Sequence, residues 1–408
     1  MKSNALKLIK HTKNLLRKTE FHEKHRTSTR HFTRKSPLGF KNTATIVLNM
    51  VKKSIKAEVM NYFYKQEKEK KAPSRQAFSQ AREKISYLAF KDFFEKSCEL
   101  TLESKEARLW RSYRIFGVDG TSFMVGKIDK LKEYFGESTT VSGIAMCRLS
   151  AVVDVLNECI ANAAVAPFST GERALAIEQT GQLKSISNAL YLFDRGYWSS
   201  ELVEGIIKNE QKFLMRLASN TGKTTVTDEN GNEHDLRRYS FILPSGETEV
   251  LLTNLSEDEV PDAELVVLYA KRWGTETKYL ELKDRLQIDK FSGESVNVVL
   301  QDIFSTLYIS NLVAFTCWET DEAVNERSKG KDNKYAQKTN RTICISAFRM
   351  RFIDICLLPC ASLVDRALDK LLRDIESEVV YINKSKPRPR NKAKIKMARL
   401  INHNNSPL

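Results

Sequence analysis

One stretch in the second half of the chain combines residue types that could bind a phosphate backbone. In YAKRWGTETKYLELKDRL, residues 269–286, polar side chains recur at intervals of three, four and seven. At about 3.6 residues per turn, these intervals return to one face of an α-helix. The spacing therefore predicts a single helix over the stretch, with a polar stripe formed by Tyr269, Arg272, Glu276 and Lys283.

The chemistry of this stripe is that of phosphate recognition. Arg272 suits phosphate oxygens through its two-pronged guanidinium, and Lys283 suits them as a point charge. The hydroxyl of Tyr269 can donate to a phosphate, or its ring can stack on a base. The alternative is a solvated helix edge, where Arg272 and Glu276 form an i,i+4 ion pair of about 0.2–0.5 kcal/mol.

Two aspartates supply further acids. Asp119 closes the apolar run IFGVDG and Asp194 closes LYLFDRG, so each is expected at the tip of a buried strand. A carboxylate in that position is costly unless a cation pairs with it. Together with Glu276, the two aspartates would provide hard oxygen ligands for two Mg²⁺ ions about 3.5–4 Å apart. The alternative for each aspartate is a turn or cap residue, because Asp-Gly is a common turn pair.

Positive charge is concentrated at the two ends of the chain. The formal net charge is +15; residues 1–50 hold 12 Lys and Arg against two acids, and residues 381–408 hold eight against none. The chain between them is therefore close to neutral. Basic ends suit a polyanion such as nucleic acid, with the N-terminal residues as a DNA-binding arm. The alternative is that both ends serve solubility.

Cysteine usage and hydropathy favour a protein of the cytoplasm. The seven cysteines are odd in number and scattered, which favours a reducing compartment over a disulfide framework. Cys356 and Cys360 lie in the apolar stretch FIDICLLPCASL and are expected to be core thiols rather than zinc ligands. No continuous apolar run reaches the roughly 18 residues of a membrane span, and the first residues lack the apolar segment of a secretory signal.

The elements that must position the acids divide the chain into five parts. The first part is helical, and Arg75, Gln76 and Arg82 would face outward there, either as a helix-turn-helix reader or on a plain bundle. A strand–strand–strand–helix–strand–helix–strand pattern follows, which predicts a mixed α/β core. The predicted parts are a basic helical DNA-binding region (1–110), the first part of the core (111–217), a small β insertion (218–262), the second part of the core with the Glu276 helix (263–380) and a basic flexible tail (381–408).

Three motifs carry a resemblance to a known family. FGVDGTSF, LFDRGYW and the pattern Y-x2-R-x3-E-x6-K resemble the three acidic motifs of bacterial insertion-sequence DDE transposases of the IS-four type. The resemblance covers roughly residues 70–390. It implies an α/β fold with a ribonuclease-H-like mixed sheet core, a small β insertion and an α-helical N-terminal region. Asp119 would lie on the first strand, Asp194 after the fourth and Glu276 on a late helix.

The resemblance also implies an activity and its residues. The expected reaction is Mg²⁺-dependent nicking at transposon ends, followed by strand transfer of the freed 3′-hydroxyl into target DNA, as in cut-and-paste transposition. The same residues Asp119, Asp194 and Glu276 would be catalytic and would hold two Mg²⁺ ions, for which Mn²⁺ substitutes. Tyr269, Arg272 and Lys283 would contact the transposon-end DNA.

Partners and location follow from the same resemblance. The expected partners are double-stranded DNA, as terminal inverted repeats and as target, and further copies of the chain in a homodimer or higher synaptic assembly. The expected location is the bacterial cytoplasm, associated with the nucleoid, without a membrane. Two alternatives stay open: a related metal-dependent DNA nuclease, and a catalytically silent DNA-binding protein or transposition inhibitor.

One departure from the family concerns a hairpin intermediate. Some relatives flip a base onto a tryptophan of the insertion, whereas the four tryptophans of this chain lie outside residues 218–262. Tyr239 or Phe241 would then be the residue that stacks on a base. Trp198 and Trp273 flank the acidic motifs and are expected to be core residues.

Overall fold

The structure, a computed structural model, describes most of the chain and divides it into two compact units. One unit comprises Met1–Ser97 and Leu282–Leu408, here called the terminal unit, and the other comprises Cys98–Glu281, the central unit. The predicted basic tail lies outside the described residues from residue 383 onward, as do parts of the predicted β insertion. The described residues are 4–50, 52, 54–66, 72–139, 142–218, 225–227, 231–243, 246–328 and 335–382.

Helices and strands are numbered here in chain order. The helices are α1 (Asn4–Leu15), α2 (Thr19–His25), α3 (Phe40–Asn49), α4 (Ile55–Lys65), α5 (Arg75–Glu83), α6 (Leu88–Leu102), α7 (Asp129–Phe135), α8 (Glu172–Gln182), α9 (Ser200–Lys208), α10 (Asp262–Ala270), α11 (Trp273–Leu280), α12 (Val296–Ser328), α13 (Arg341–Leu357) and α14 (Ala361–Glu376). The strands are β1 (Arg114–Gly126), β2 (Ala145–Asp154), β3 (Cys159–Pro167), β4 (Ala189–Phe193), β5 (Lys212–Leu217), β6 (Thr225–Thr227), β7 (Glu233–Asp235), β8 (Arg237–Ile242), β9 (Thr248–Thr253), β10 (Gln337–Thr339) and β11 (Val379–Tyr381).

The central unit is built on a mixed sheet. Within the described part of the chain, seven strands pair in the order β3-β2-β1-β4-β5-β9-β8. The neighbours β1, β4 and β5 are parallel, and the other neighbours are antiparallel. Parallel strands need a crossover, and α9 provides it between β4 and β5. This mixed α/β layout is the one that the alternation of strand and helix patterns predicts.

One face of this sheet is closed by a hydrophobic core. Side chains along a strand alternate between the two faces, so the residues between these core positions point to the opposite face. That opposite face meets α11, because a Cβ at Gly117 would lie 2.0 Å from Thr275 Oγ1. The core face is formed by Phe116, Val118, Tyr191, Phe193, Phe213, Met215, Leu217, Val250 and Leu252, packed with Leu202, Val203 and Ile206 of α9.

Much of the stretch between β5 and α10 extends the sheet. β9 pairs with β5, and β8 pairs with β9 at the sheet edge. The short strands β6 and β7 pair with each other as a separate ribbon. Residues 218–262 therefore include two strands of the same sheet that carries Asp119.

The terminal unit is helical. Its central element is α12, which contacts α1, α3, α13 and α14. By length and composition alone α12 could cross a membrane, but its most apolar segment is entirely buried within the protein. Burial of that kind is typical of a core helix. In the same unit, β10 and β11 form a short antiparallel pair.

The structure corrects two expectations about the basic N-terminal region. Ala5, Leu8 and Ile9 of α1 are fully buried, so this helix packs into the helical unit and is not a projecting arm. DNA binding by residues 1–110 stays a prediction. Arg82 was expected to face outward with Arg75 and Gln76, but it is 2% exposed and donates to Asp302 at 2.8 Å. Buried pairing of Arg82 favours a helical bundle over a DNA-reading helix at this position.

The two neighbouring cysteines behave differently. Cys356 of α13 is buried, as predicted. Cys360 is exposed at the start of α14, so the prediction of a core thiol is wrong there. The apolar residues around Cys360 could not reveal that the chain passes between two helices at this point.

Candidate active site

Asp119 lies within a strand rather than at its end. β1 continues to Gly126, with Asp119 opposite Ala151 and Gly120 opposite Ser150 of β2. The alternative of an Asp-Gly turn is therefore excluded, and the prediction that the strand ends here is wrong. The backbone carbonyl of Asp119 accepts from the hydroxyl of Tyr279 at 2.7 Å, which ties this part of β1 to α11.

Asp194 follows a buried strand, as predicted. Its Oδ1 accepts from the backbone N–H of Arg195 at 2.8 Å and caps the 3₁₀ turn Arg195–Tyr197. Asp194 is therefore a cap residue, and it also stands at the end of a strand. Because Phe193 pairs with Met215 in the parallel ladder, Asp194 stands at the carboxyl edge of β4.

The stretch predicted as one helix is segmented. α10 ends at Ala270, α11 begins at Trp273, and a π-helical turn, Glu281–Arg285, follows. At the junction the N–H groups of Arg272 and Thr275 donate to carbonyls three residues earlier, at 3.0 and 2.9 Å. Such 3₁₀ bonding tightens the helix. The prediction of one unbroken helix is wrong, because residue spacing does not show where the hydrogen-bond ladder tightens or widens.

Segmentation also separates the members of the polar stripe. Tyr269 ends α10, Arg272 lies at the junction and Glu276 lies on α11, all within the central unit. Lys283 lies in the π-helical turn and belongs to the terminal unit. Three of the four stripe residues therefore share a compact unit with Asp119 and Asp194.

Arg272 is electrostatically coupled to all three acids. Its Nη2 donates to Glu276 Oε1 at 2.9 Å. Burial lowers the pKa of Arg272, but Tyr269, Asp194 and Glu276 outweigh burial and hold that pKa above its ordinary value. The charge of Arg272 in turn lowers the pKa of Asp119. Since Arg272 is 8% exposed, the alternative of a solvated helix edge is excluded for this residue.

Asp119 is held in an environment that disfavours its negative charge. Burial is the main cause of a pKa raised to about 6, and the charges of Glu172 and Glu276 raise it further. The N–H of Gly120 and the charge of Arg272 act in the opposite direction. A bound cation is most stabilising next to a partly desolvated acid that has other acids around it.

The acids are compatible with a divalent metal ion but are not arranged around one point. Carboxylate oxygens are the ligands that Mg²⁺ prefers. In the portion of the chain that the structure describes, no three His, Cys, Asp or Glu side chains are grouped closely enough to hold a metal ion. To become a ligand together with Asp119 and Asp194, Glu276 would have to exchange its bond from Arg272. The raised pKa of Asp119 and the oxygen donor set nevertheless fit a hard cation.

Buried polar atoms next to these acids lack hydrogen-bond partners. Tyr269 Oη, Arg272 Nε and Thr275 Oγ1 are buried and unpaired. The guanidinium of Arg272 lies over the Tyr269 ring, 5.8 Å from the ring centroid. An unpaired buried polar group costs about 1–3 kcal/mol. Donors placed in this way suit a ligand with acceptor oxygens, such as a phosphate.

The aromatic residues near the motifs take different positions. Trp198 packs against the hydrophobic core, as predicted, whereas Trp273 is 51% exposed on α11 and the prediction of a core residue is wrong. Tyr239 and Phe241 lie on β8, with ring centroids 6.0 Å apart and ring planes at 15°. Their predicted role as a base platform stays a prediction.

The sequence analysis missed an acid that borders the site. Glu172 begins α8, forms an ion pair with Arg148 of β2 and raises the pKa of Asp119. A Cβ at Gly120 would lie 2.8 Å from the carboxyl carbon of Glu172, so the glycine makes room for it. A glycine inside a strand signals such a close approach. Gly120 was the available signal, but the Asp-Gly pair suggested a turn instead.

Comparisons with known proteins show what the chain is similar to. Residues 110–312 match the family model described as "Transposase DDE domain". "Transposase InsG for insertion sequence element IS4" of Escherichia coli (strain K12) is 23% identical over 276 residues. The match covers 60% of this chain and 61% of that relative, so the chain aligns with less than two thirds of the length of the relative.

The third comparison concerns the fold. The chain is similar to piggyBac transposase, solved in a synaptic complex with hairpin DNA, with a TM-score of 0.50 and 10% sequence identity. The similarity covers 95% of this chain and 88% of that one. Together with the seven-stranded mixed sheet of the described residues, it confirms the predicted α/β fold with a ribonuclease-H-like core.

Proposed function

Because the chain carries a transposase DDE domain and belongs to the IS4-type DDE transposases, we propose that it cuts DNA at the ends of an insertion sequence and joins the freed 3′-hydroxyl to target DNA. The catalytic residues of the proposal are Asp119, Asp194 and Glu276. The substrate is double-stranded DNA, first the terminal repeats of the element and then the target.

One observation carries the proposal. Arg272 bonds Glu276, and its charge is coupled to those of both Asp119 and Asp194, although these acids come from β1, the end of β4 and α11. Asp194 lies 75 positions after Asp119 and 82 positions before Glu276 in the sequence, yet all three acids are electrostatic neighbours of Arg272. A purely structural ion pair would need one acid for one arginine, whereas this arginine has three acids near it.

Each residue of the site has a proposed role. Asp119, Asp194 and Glu276 would hold the divalent cations, Mg²⁺ with Mn²⁺ as a substitute. Bound cations would activate the attacking oxygen and stabilise the leaving oxygen of the phosphate. Arg272, once exchanged from Glu276, would bind a non-bridging phosphate oxygen, and the hydroxyl of Tyr269 would donate to the same backbone. Lys283 would add a further contact to the DNA of the transposon end.

The partners follow from the reaction. Joining both ends of an element to one target requires two active sites to act together, so we propose a homodimer or a higher assembly. The structurally similar piggyBac transposase was solved in a synaptic complex, which supports this part of the proposal. A protein that acts on DNA in this way would work in the bacterial cytoplasm at the nucleoid.

The test is cleavage of a labelled duplex that carries the end of the element, with Mg²⁺ and with EDTA. We expect Glu276→Gln to abolish metal-dependent nicking, a loss of roughly a hundredfold or more, because a ligand and a charge are removed while the side-chain shape is kept. DNA affinity should change little.

The matched control is Glu264→Gln on α10, which removes an exposed acid paired with Arg111. This control should cut like the wild type. Binding without any cutting by the wild type would contradict the proposal and favour a silent DNA-binding protein. Nicks without joined products, when target DNA is supplied, would favour a nuclease.

A further inference from the structure

The edge of the sheet that carries Asp194 also carries an arginine that the acidic motifs do not include. In the parallel pair of β4 and β5, Phe193 lies opposite Met215. The next residues, Asp194 and Arg216, are therefore neighbours at the same carboxyl edge. Neighbouring strands lie about 4.8 Å apart, so the backbones of Asp194 and Arg216 are about one strand spacing apart.

Alternation along the strands puts this arginine on the face of the acids. Met215 and Leu217 point into the hydrophobic core, so Arg216 between them points to the opposite face. By the same alternation Asp119, which follows the core residue Val118, points to that opposite face as well. This is the face that α11, the helix of Glu276, meets at Gly117.

The partner of Arg216 lies on the next strand. Arg216 Nη2 is 2.7 Å from Glu249 Oε1. Leu251 of β9 is opposite Arg216, and Glu249, two residues away, shares its face. The side chain of Arg216 is 30% exposed, whereas that of Glu249 is 10% exposed. A guanidinium has five N–H donors in a planar fork, so one carboxylate leaves donors for a further acceptor.

Arg216 also lies close to a member of the catalytic stripe. Burial raises the pKa of the Tyr269 hydroxyl, and the charge of Arg216 is one of those that oppose this rise. The hydroxyl of Tyr269 is itself buried without a hydrogen-bond partner. Arg216 and Tyr269 thus approach the same space from β5 and from α10.

We propose that Arg216 binds a phosphate of the DNA backbone next to the acids, and that Glu249 is the partner from which it exchanges. The inference rests on the proposed function and adds a binding residue outside the three motifs. Carboxylate and phosphate both match the guanidinium fork, so the exchange replaces one charge-assisted pair by another. The competing explanation is that the pair merely ties β5 to β9.

The experiment measures DNA affinity as a function of salt, with a fluorescent duplex carrying the end of the element and with EDTA present to prevent cleavage. Arg216→Gln should weaken binding roughly tenfold and lower the slope of log affinity against log salt by about 0.9, the value for one lost phosphate contact. Arg216→Lys should keep the slope at an intermediate affinity. Glu249→Gln should bind more tightly than the wild type.

The matched control is Lys212→Gln on the same strand. Lys212 Nζ is 2.8 Å from Glu259 Oε1 at the amino end of β5, so the variant removes a similar ion pair and the same charge away from the acids. Its salt slope should equal that of the wild type. Thermal melting of every variant separates a loss of folding from a loss of binding.

The outcomes distinguish this inference from the proposed function. If Arg216→Gln keeps the affinity and slope of the wild type while Glu276→Gln still abolishes cleavage, the inference is overturned and the proposed function stands. A lower melting temperature with an unchanged slope would also overturn it, because the pair would then be structural. If the wild type binds no DNA, both fall.

Discussion

Two aspartates, the half-buried Asp119 of the central unit and the buried Asp302 of the terminal unit, have opposite electrostatic environments. Asp302 of α12 accepts from Arg82 and from the backbone N–H of Ser292, both at 2.8 Å, with Lys52 3.5 Å away. Burial would raise its pKa, but Arg82, Lys52 and the N–H of Ser292 lower it to about 2. The pKa of Asp119 is instead raised to about 6, mainly by burial.

The difference shows that the fold balances the charge of Asp302 but not that of Asp119. The partners of Asp302 complete its hydrogen bonds and more than balance its charge, as expected of a structural group. Asp119 has acids on two sides and a single arginine that it shares with Glu276 and Asp194. Acids whose pKa stays strongly raised despite such partners are typical of functional sites.

Replacing each acid with its amide should give the largest difference between the two aspartates, both in the free energy of unfolding and in nicking. Asp302→Asn should destabilise the protein by about 3–5 kcal/mol, because two buried cations lose their counter-charge. Asp119→Asn should leave the free energy of unfolding unchanged or higher, because a repelled charge disappears, while nicking is lost. Urea unfolding monitored by circular dichroism, with a nicking assay, checks both. Equal destabilisation by the two variants would mean that Asp119 is also a structural acid.

The pH dependence should separate the same two acids. A folded-state pKa of about 6 for Asp119, against an ordinary value of 3.8, means that the folded state binds its proton more tightly. The resulting contribution of Asp119 to the free energy of unfolding is present below pH 3.8 and is lost as the pH rises to about 6. For Asp302, with a pKa of about 2, the contribution is present above pH 3.8 and is lost as the pH falls towards 2.

In metal-free buffer, the stability of Asp119→Asn relative to the wild type should therefore increase by about 1–3 kcal/mol between pH 4 and pH 7. Denaturant titrations at both pH values measure it. Asp369→Asn, which removes an exposed acid of α14, is the control and should show no such change. A flat difference for Asp119→Asn would show that its pKa is not raised by its surroundings.

The smallest effect is expected on the surface of the terminal unit. Arg30, Arg34 and Lys35 are exposed between α2 and α3, and they are among the exposed basic residues of the N-terminal segment. Replacing all three with Gln should weaken DNA binding severalfold and lower the salt slope by up to about 0.9 for each lost phosphate contact. Fluorescence anisotropy at several salt concentrations measures both quantities.

A control with the same loss of charge uses Arg366, Lys370 and Arg373, which are exposed on α14. That triple variant should keep the slope of the wild type. If both triple variants lose affinity equally, the net charge of the protein matters and the loop before α3 has no special role.

Local sequence patterns supplied the residues of the candidate site and the class of fold. Asp119, Asp194, Arg272 and Glu276 were identified from apolar runs that end in an acid and from helical spacing, and the strand and helix patterns indicated a mixed α/β core. These signals are local, because period and turn chemistry depend on residues a few positions apart. For that reason the sequence could also suggest that Asp194 stands at a strand end.

Contacts between distant parts of the chain set how far each local pattern extends and which groups each side chain contacts. The pair Asp119-Gly120 is typical of a turn, but β1 pairs with β2 at both residues and continues to Gly126. Arg82 was expected to be exposed but is buried against Asp302, and Trp273 was expected to be buried but is exposed on α11. Arg216 became visible as a neighbour of Asp194 only through strand register. Register and burial depend on contacts between residues distant in sequence, and a local pattern does not contain them.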